Sequence, residues 1–365
     1  PSLVHDMLSK SGDVSKELSS AFRSISENRD QLRSRLEIST HNDDADSKEP
    51  SACAVDGTSY SDMVLGSGLV YSAAFAVEGL IPSSGSKNWQ EPLYMTTLHQ
   101  EKDTKALSRV MTAVMMEMAV ELAAQAPHDI VFIRGSMAGY LATIMASLKT
   151  ALEFKESPTS REFLTRMKTA IVSLQTIVNS NNSRKIRTAS PGLHSGKALI
   201  SHLKLPDTLD DTHLMTLLLS PGEYIGPIKL ERKELVRVSQ IPIKDEKFAA
   251  VRDNLTAAMG ELQVVCYRPE QWIPSLTFEV TQSVAEDKSL LSVLLHGIKA
   301  QCISAGIHEP YPVYRAGLMV HSMREAFTSL RSSMIQGIDS GSENDIGTLI
   351  SALLHKSTFA GENNG

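Results

Sequence analysis

The chain of 365 residues carries a formal net charge of −6, with 42% hydrophobic and 21% charged residues. This length and apolar content support one large domain with elaborations, or two domains. The mild acidity excludes a general polyanion binder, so contact with nucleic acid must come through a local basic patch, a metal site or a partner.

Cys53, Cys266 and Cys302 are widely spaced and form no CxxC pair, which argues against a disulfide framework or zinc cluster and fits a reducing compartment. No apolar run approaches the roughly 18–20 residues that a membrane span needs. Pro1-Ser2-Leu3-Val4-His5-Asp6 lacks the basic and apolar regions of a signal peptide. A cytoplasmic protein with no membrane contact is the expectation.

Residues 2–38 read as helical, and Thr40 to Pro50 is a polar loop. Ala52-Cys53-Ala54-Val55 reads as a buried strand closed by a turn at Asp56-Gly57. Gly68–Val77 and residues 93–99 follow as further strands. Over residues 104–126, Leu107, Val110, Met111, Val114, Met115, Met118, Ala119 and Leu122 form one apolar helical stripe.

Asp129-Ile130-Val131-Phe132-Ile133 is a short strand ended by Arg134-Gly135-Ser136, with helices at about 138–154 and 160–178. A basic, polar segment from Asn179 to Ser195 leads into a mixed region. Residues 264–267 and 276–280 look like neighbouring strands, and helices at about 286–304 and 316–336 close the fold. Alternating strands and helices argue for an α/β architecture with a mixed sheet. The expected organisation is a helical segment and linker over 1–49, one domain over 50–340, and a C-terminal helix or flexible tail over 341–365.

Three places offer carboxylate chemistry. Asp56 ends a predicted buried strand, where α/β folds bind ligands, although Asp-Gly is also the commonest turn dipeptide and spacing alone favours a turn. Glu117 and Glu121 share one helix face at the flank of the apolar stripe; without further context they read as solvated border residues. Asp211 precedes an apolar helix, where a helix cap is the plainer reading. The histidines show no HExxH spacing. No GxxxxGK[ST] or GxGxxG loop occurs, so the chain is not an ATPase on its own.

The order of these signals resembles the NurA family of DNA-end nucleases. The stretches that carry the resemblance are Val55-Asp56-Gly57-Thr58-Ser59, Met116-Glu117-Met118, Ile133-Arg134-Gly135-Ser136, Leu276-Thr277-Phe278-Glu279-Val280 and Glu309-Pro310-Tyr311-Pro312-Val313-Tyr314-Arg315-Ala316-Gly317. Asp210-Asp211 with Ser220-Pro221-Gly222-Glu223 resembles the family's central segment, so the likeness runs over roughly residues 50–335.

The resemblance implies an RNase H-like mixed sheet flanked by helices, here with an N-terminal helical extension. It also implies carboxylates converging on Mn²⁺ or Mg²⁺, which prefer oxygen ligands and can activate a water for phosphodiester cleavage. DNA, a homodimeric assembly and a HerA-like hexameric ATPase are the implied partners. By the same likeness Asp56 and Glu117 are the catalytic and metal residues, with Glu279, Asp211 and Glu309 as supplementary ligands.

Three positions depart from the pattern. Arg134 stands where the family has a second aspartate, Gly317 where it has a late histidine, and Glu309 where it has the first tyrosine of the late motif. Arg134 then reads as a contact for a substrate phosphate. The implied activity is a metal-dependent DNA nuclease subunit acting in DNA end processing, repair or defence. The alternative is a catalytically degenerate scaffold or regulator of the same translocase complex.

Overall fold

The computed structural model describes residues 2–339 except 43–47, 65–66, 83–84, 180–184, 191–195, 208 and 244. The expected C-terminal tail at 341–365 lies outside the described residues. The elements run α1 (Ser2–Glu27), α2 (Arg29–Arg33), β1 (Ile38–Thr40), β2 (Ala52–Val64), β3 (Ser67–Glu78), β4 (Leu93–Glu101), α3 (Thr104–Gln125), β5 (Ile130–Arg134), α4 (Met137–Glu153) and α5 (Pro158–Val178). There follow β6 (Ile186–Ser190), α6 (Ala198–His202), α7 (Asp211–Leu218), β7 (Glu223–Lys229), α8 (Lys233–Ser239) and α9 (Glu246–Gly260). The described residues close with β8 (Gln263–Tyr267), β9 (Leu276–Val280), α10 (Gln282–Glu286), α11 (Lys288–Ala300) and α12 (Tyr311–Asp339).

All nine strands join one mixed sheet in the order β1-β7-β8-β9-β6-β5-β2-β3-β4. The centre is parallel, with β5 paired to both β2 and β6; β2–β3–β4 on one side and β9–β8–β7–β1 on the other are antiparallel. Strand β3 is buried along both faces, whereas the edge strand β4 alternates. An N-cap opens each of the three helices around the central strands. Asp103 accepts from Ala106 N–H at the start of α3, Ser136 from Gly139 N–H at α4, and Ser157 from Ser160 N–H at α5, where Pro158 occupies the first turn.

Side-chain alternation along the strands assigns each residue to one of two layers. On β2, Cys53 and Val55 pack with α3, α4 and α5, while Ala52 and Ala54 pack with α11 and the start of α12. On β5, Val131 and Ile133 join the first layer, and Ile130 and Phe132 the second. Leu107, Val110, Val114 and Met118 of α3 are each fully buried, contributing roughly 1.5–3 kcal/mol apiece. A separate apolar cluster at the far end of the sheet collects Ile25 and Leu32 with residues of α6, α7, β7 and β8. The N-terminal helical extension ends there, as β1 pairs with β7 and Arg33 binds Glu223 at 2.7 Å.

Two readings from the sequence are corrected. Asp56-Gly57 is not a turn: β2 continues to Val64, with Asp56 opposite Phe75 and Gly57 opposite Ala74. The parallel partner β5 stops pairing at Ile133–Val55, so Asp56 still lies at a strand-end crevice on that side. The polar stretch 179–195 contains β6, which fills the sheet between β5 and β9. Its short apolar content hides it: Arg187 is buried and donates to the carbonyl of Ala126 at 2.7 Å.

Candidate functional site

Asp56 lies two residues beyond Ala54 and so projects from the α12 face of the sheet; its partner Phe75 packs there against Phe327 of α12. Arg134, two residues after Phe132, projects from the same face. Gly57 faces the other way, where a Cβ would come within 2.9 Å of the Ala73 carbonyl and also meet Met115. A glycine beside Asp56 thus lets α3 pack close to the strand.

Arg134 is the centre of the cluster. Its Nη1 donates to Glu309 Oε2 at 2.8 Å, and its Nε lies 3.9 Å from Asp56 Oδ2. Both carboxylates are largely buried, while about a third of the arginine side chain is exposed. Burial pushes the Asp56 carboxyl up to about 6, against the lowering effect of Arg134 and of the Gly57 N–H, which donates to Oδ1 at 2.7 Å. Gly317 faces the guanidinium, since a Cβ there would be 3.7 Å from Arg134 Nη1. Arg134, Glu309 and Gly317, the three departures from the family pattern, are therefore neighbours in space.

Tyr140, which no sequence motif singles out, anchors this strand end. Its hydroxyl donates to the Arg134 carbonyl at 2.8 Å. Burial and the charge of Asp56 push its own ionisation well above the usual phenol range.

The remaining candidate carboxylates lie elsewhere. Glu117 is 1% exposed on α3, in the layer on the opposite face of the sheet from Asp56. Its electrostatic neighbours are Arg166 and Glu162 of α5, and neither carboxylate oxygen has a hydrogen-bond partner among the described residues. Burial pushes its carboxyl up to about 9.

Glu279 also belongs to that opposite layer. It accepts from Met137 N–H at 2.7 Å and Ser136 Oγ at 2.8 Å at the start of α4, and pairs with Arg232. Asp211 accepts from the Leu199 and Ile200 N–H groups at 3.0 and 2.8 Å, closing the start of α6. Asp210, not Asp211, caps α7. Of the five carboxylates expected as metal ligands, the structure brings together Asp56 and Glu309, with Arg134 between them. Strand parity keeps Glu279 away from Asp56, Glu117 lies on α3 over the opposite face, and Asp211 is committed to backbone donors.

This donor set does not fit a pair of divalent ions. Among the described residues no three His, Cys, Asp or Glu side chains converge as a metal site. A guanidinium about 5 Å from a divalent ion, at an effective dielectric near 20, costs on the order of 6 kcal/mol. Arg134 sets a positive charge between the Asp56 and Glu309 carboxylates. Its unoccupied N–H groups, in part open to solvent, suit paired hydrogen bonds to an oxyanion.

No family model matches the chain, and no curated protein sequence does. Solved structures do. The NurA nuclease from Sulfolobus solfataricus aligns with a TM-score of 0.61 at 13% identity, covering 94% of this chain and 100% of that one. NurA bound to dAMP and manganese aligns at 0.57 with 10% identity, covering 92% and 98%. NurA with manganese aligns at 0.52 with 11% identity, covering 90% and 98%. A nine-stranded mixed sheet flanked by helices, matched over nearly the whole length, gives this chain the RNase H-like fold of the NurA nucleases.

Proposed function

We propose that the protein is a divergent NurA-like subunit that engages DNA ends and holds the backbone phosphate with Arg134 in place of a pair of divalent ions. The observation that carries this reading is Arg134 itself, set between Asp56 and Glu309 and facing Gly317. Arginine matches a phosphate through a planar, two-pronged donor set and cannot lose its charge. A homodimer docked on a HerA-like hexameric ATPase would supply the translocation for which the chain has no phosphate loop. The chain's −6 charge fits a subunit whose partner holds most of the DNA.

The second reading is the metal-dependent nuclease. The pairing of Asp56 with Glu309 at one strand end favours it, because two carboxylates can hold a single Mn²⁺ or Mg²⁺ once Arg134 turns away. The two readings differ in the role of the guanidinium.

Titration of Mn²⁺ into wild type and Arg134→Asp, followed by calorimetry, separates the two. The first reading expects weak binding by wild type and at least tenfold tighter binding by the variant, with Arg134→Ala losing DNA affinity in a salt-dependent manner. Tight Mn²⁺ binding by wild type with DNA cleavage abolished in Asp56→Ala selects the nuclease. Light scattering of the purified protein, alone and with the ATPase, tests the assembly.

A further inference from the structure

Strand β2 outruns its parallel neighbour. Its pairing with β5 covers Ala52–Val55, whereas its pairing with β3 runs on to Val64. From Asp56 onward, no strand pairs with the other edge of β2 among the described residues. Asp56, Thr58, Tyr60 and Asp62 alternate onto the α12 face of this segment.

Helix α12 runs along the same segment, over the buried Val313, Ala316 and Phe327. Met319 and Met323 lean toward β3 and pack against Leu69, Tyr71 and Phe75. Gly317, Arg324 and Arg331 recur every two helical turns and so share the other flank. Their contacts agree: Gly317 faces Arg134, Arg324 lies over Tyr60, and Arg331 pairs with Asp62. We infer that Arg324 is a second phosphate contact, taking the backbone of a single DNA strand further along β2 from Arg134, with Tyr60 positioning its guanidinium. This contact rests on the DNA-binding reading above and adds to it a course for the strand.

Availability is the first support. Arg324 is exposed, and no carboxylate pairs with it among the described residues. Arg331 is held by Asp62 and offsets the acid at the far end of this face. A phosphate arriving at Arg324 therefore breaks no ion pair.

Preorganisation is the second. The guanidinium carbon of Arg324 lies 5.7 Å from the Tyr60 ring centre, within cation–π range. Tyr60 in turn stacks with Phe327 of the same helix, ring centres 6.3 Å apart. A contact with a ring face uses none of the guanidinium N–H groups, which stay available for paired bonds to phosphate.

Spacing is the third. From Gly317 to Arg324 the helix rises about 10 Å, and from Asp56 to Tyr60 the strand advances about 13 Å. The two guanidiniums are too far apart to share the oxygens of one phosphate, so they take different phosphates of one strand.

The test is binding of fluorescein-labelled oligothymidylate to the full chain in EDTA, followed by anisotropy over a salt series. One phosphate contact on a single strand contributes about 0.7 to the slope of log affinity against log salt, so its loss costs about fivefold at about 0.1 M salt. Arg324→Ala and Arg134→Ala should each reduce the slope by about 0.7, and the double variant by about 1.4. Arg324→Lys, which keeps the charge, should keep the slope. Tyr60→Leu should weaken binding in the wild-type background but not in Arg324→Ala, a dependence that a purely structural role does not produce. Equal losses in both backgrounds remove Tyr60 as the positioning residue. Unchanged slope and affinity in Arg324→Ala, with binding lost in Arg134→Ala, overturn the second contact and keep the phosphate role of Arg134. A double variant no weaker than Arg134→Ala also overturns it, because Arg324 then acts only through Arg134. Failure of wild type to bind the oligonucleotide overturns the DNA-binding reading, and the second contact with it.

Discussion

Replacing Glu117 by glutamine should stabilise the protein at neutral pH. The carboxyl is 1% exposed, neither oxygen has a hydrogen-bond partner among the described residues, and burial pushes it up from 4.5 to about 9. Below about pH 4.5 the group is protonated in both folded and unfolded chains, and this contribution to stability is fully present. As pH rises toward 9 the unfolded chain loses its proton while the folded one keeps it, so stability falls by about 1.4 kcal/mol per pH unit. At pH 7, 2.5 units above the unfolded value, the wild type has lost about 3 kcal/mol in this way, as an upper bound.

Glutamine keeps the shape and has no proton to take up. The variant should therefore gain up to about 3 kcal/mol at pH 7 and under about 1 kcal/mol at pH 5. Urea unfolding followed by circular dichroism at both pH values reads the difference. A destabilised variant, or a gain that is the same at both pH values, would refute the neutral, buried glutamic acid. A Glu117 that ligates metal, as the family resemblance implies, predicts instead a loss of Mn²⁺ affinity in the variant.

Three other outcomes follow from the geometry. Because Asp56 titrates near 6, protonation below that value removes one of the two anions beside Arg134; binding of DNA should tighten from pH 7.5 to pH 5 more in wild type than in Asp56→Asn, and equal pH profiles would argue against the coupling. Gly57→Ala places a Cβ 2.9 Å from the Ala73 carbonyl and against Met115, so a loss of about 1–3 kcal/mol is expected from thermal unfolding. Asp211→Asn turns an amide donor toward one of the Leu199 and Ile200 N–H groups, at a cost of about 1–3 kcal/mol. Mn²⁺ affinity should not change in that variant, and a fall would restore Asp211 as a ligand.

The hydrophobic pattern carried much of the architecture. The stripe from Leu107 to Leu122 marks α3, and the apolar run ending at Ile133 marks β5, because period and burial are local properties of the chain. Short or polar strands were less legible. β6 carries the buried Arg187, whose partners include the His128 and Ala126 carbonyls outside the strand. β1 has three residues and is ordered by its register with β7. Asp56-Gly57 read locally as a turn, and only pairing with Phe75 and Ala74 keeps it extended.

The chemical inventory is legible in the chain alone: a strand-end Asp56, a helix glutamate, Arg134 in place of an acid and Gly317 in place of a histidine. Tertiary structure decided which of these meet. Side chains alternate along a strand, so Asp56 and Arg134 point to the α12 face while Glu117 lies on the other side of the sheet. The chain return through α12 then brings Glu309 to Arg134 across 175 residues of sequence. Spacing within a helix or strand fixes a residue's own face, but which distant residue shares that face depends on strand order and on how the helices pack over the sheet.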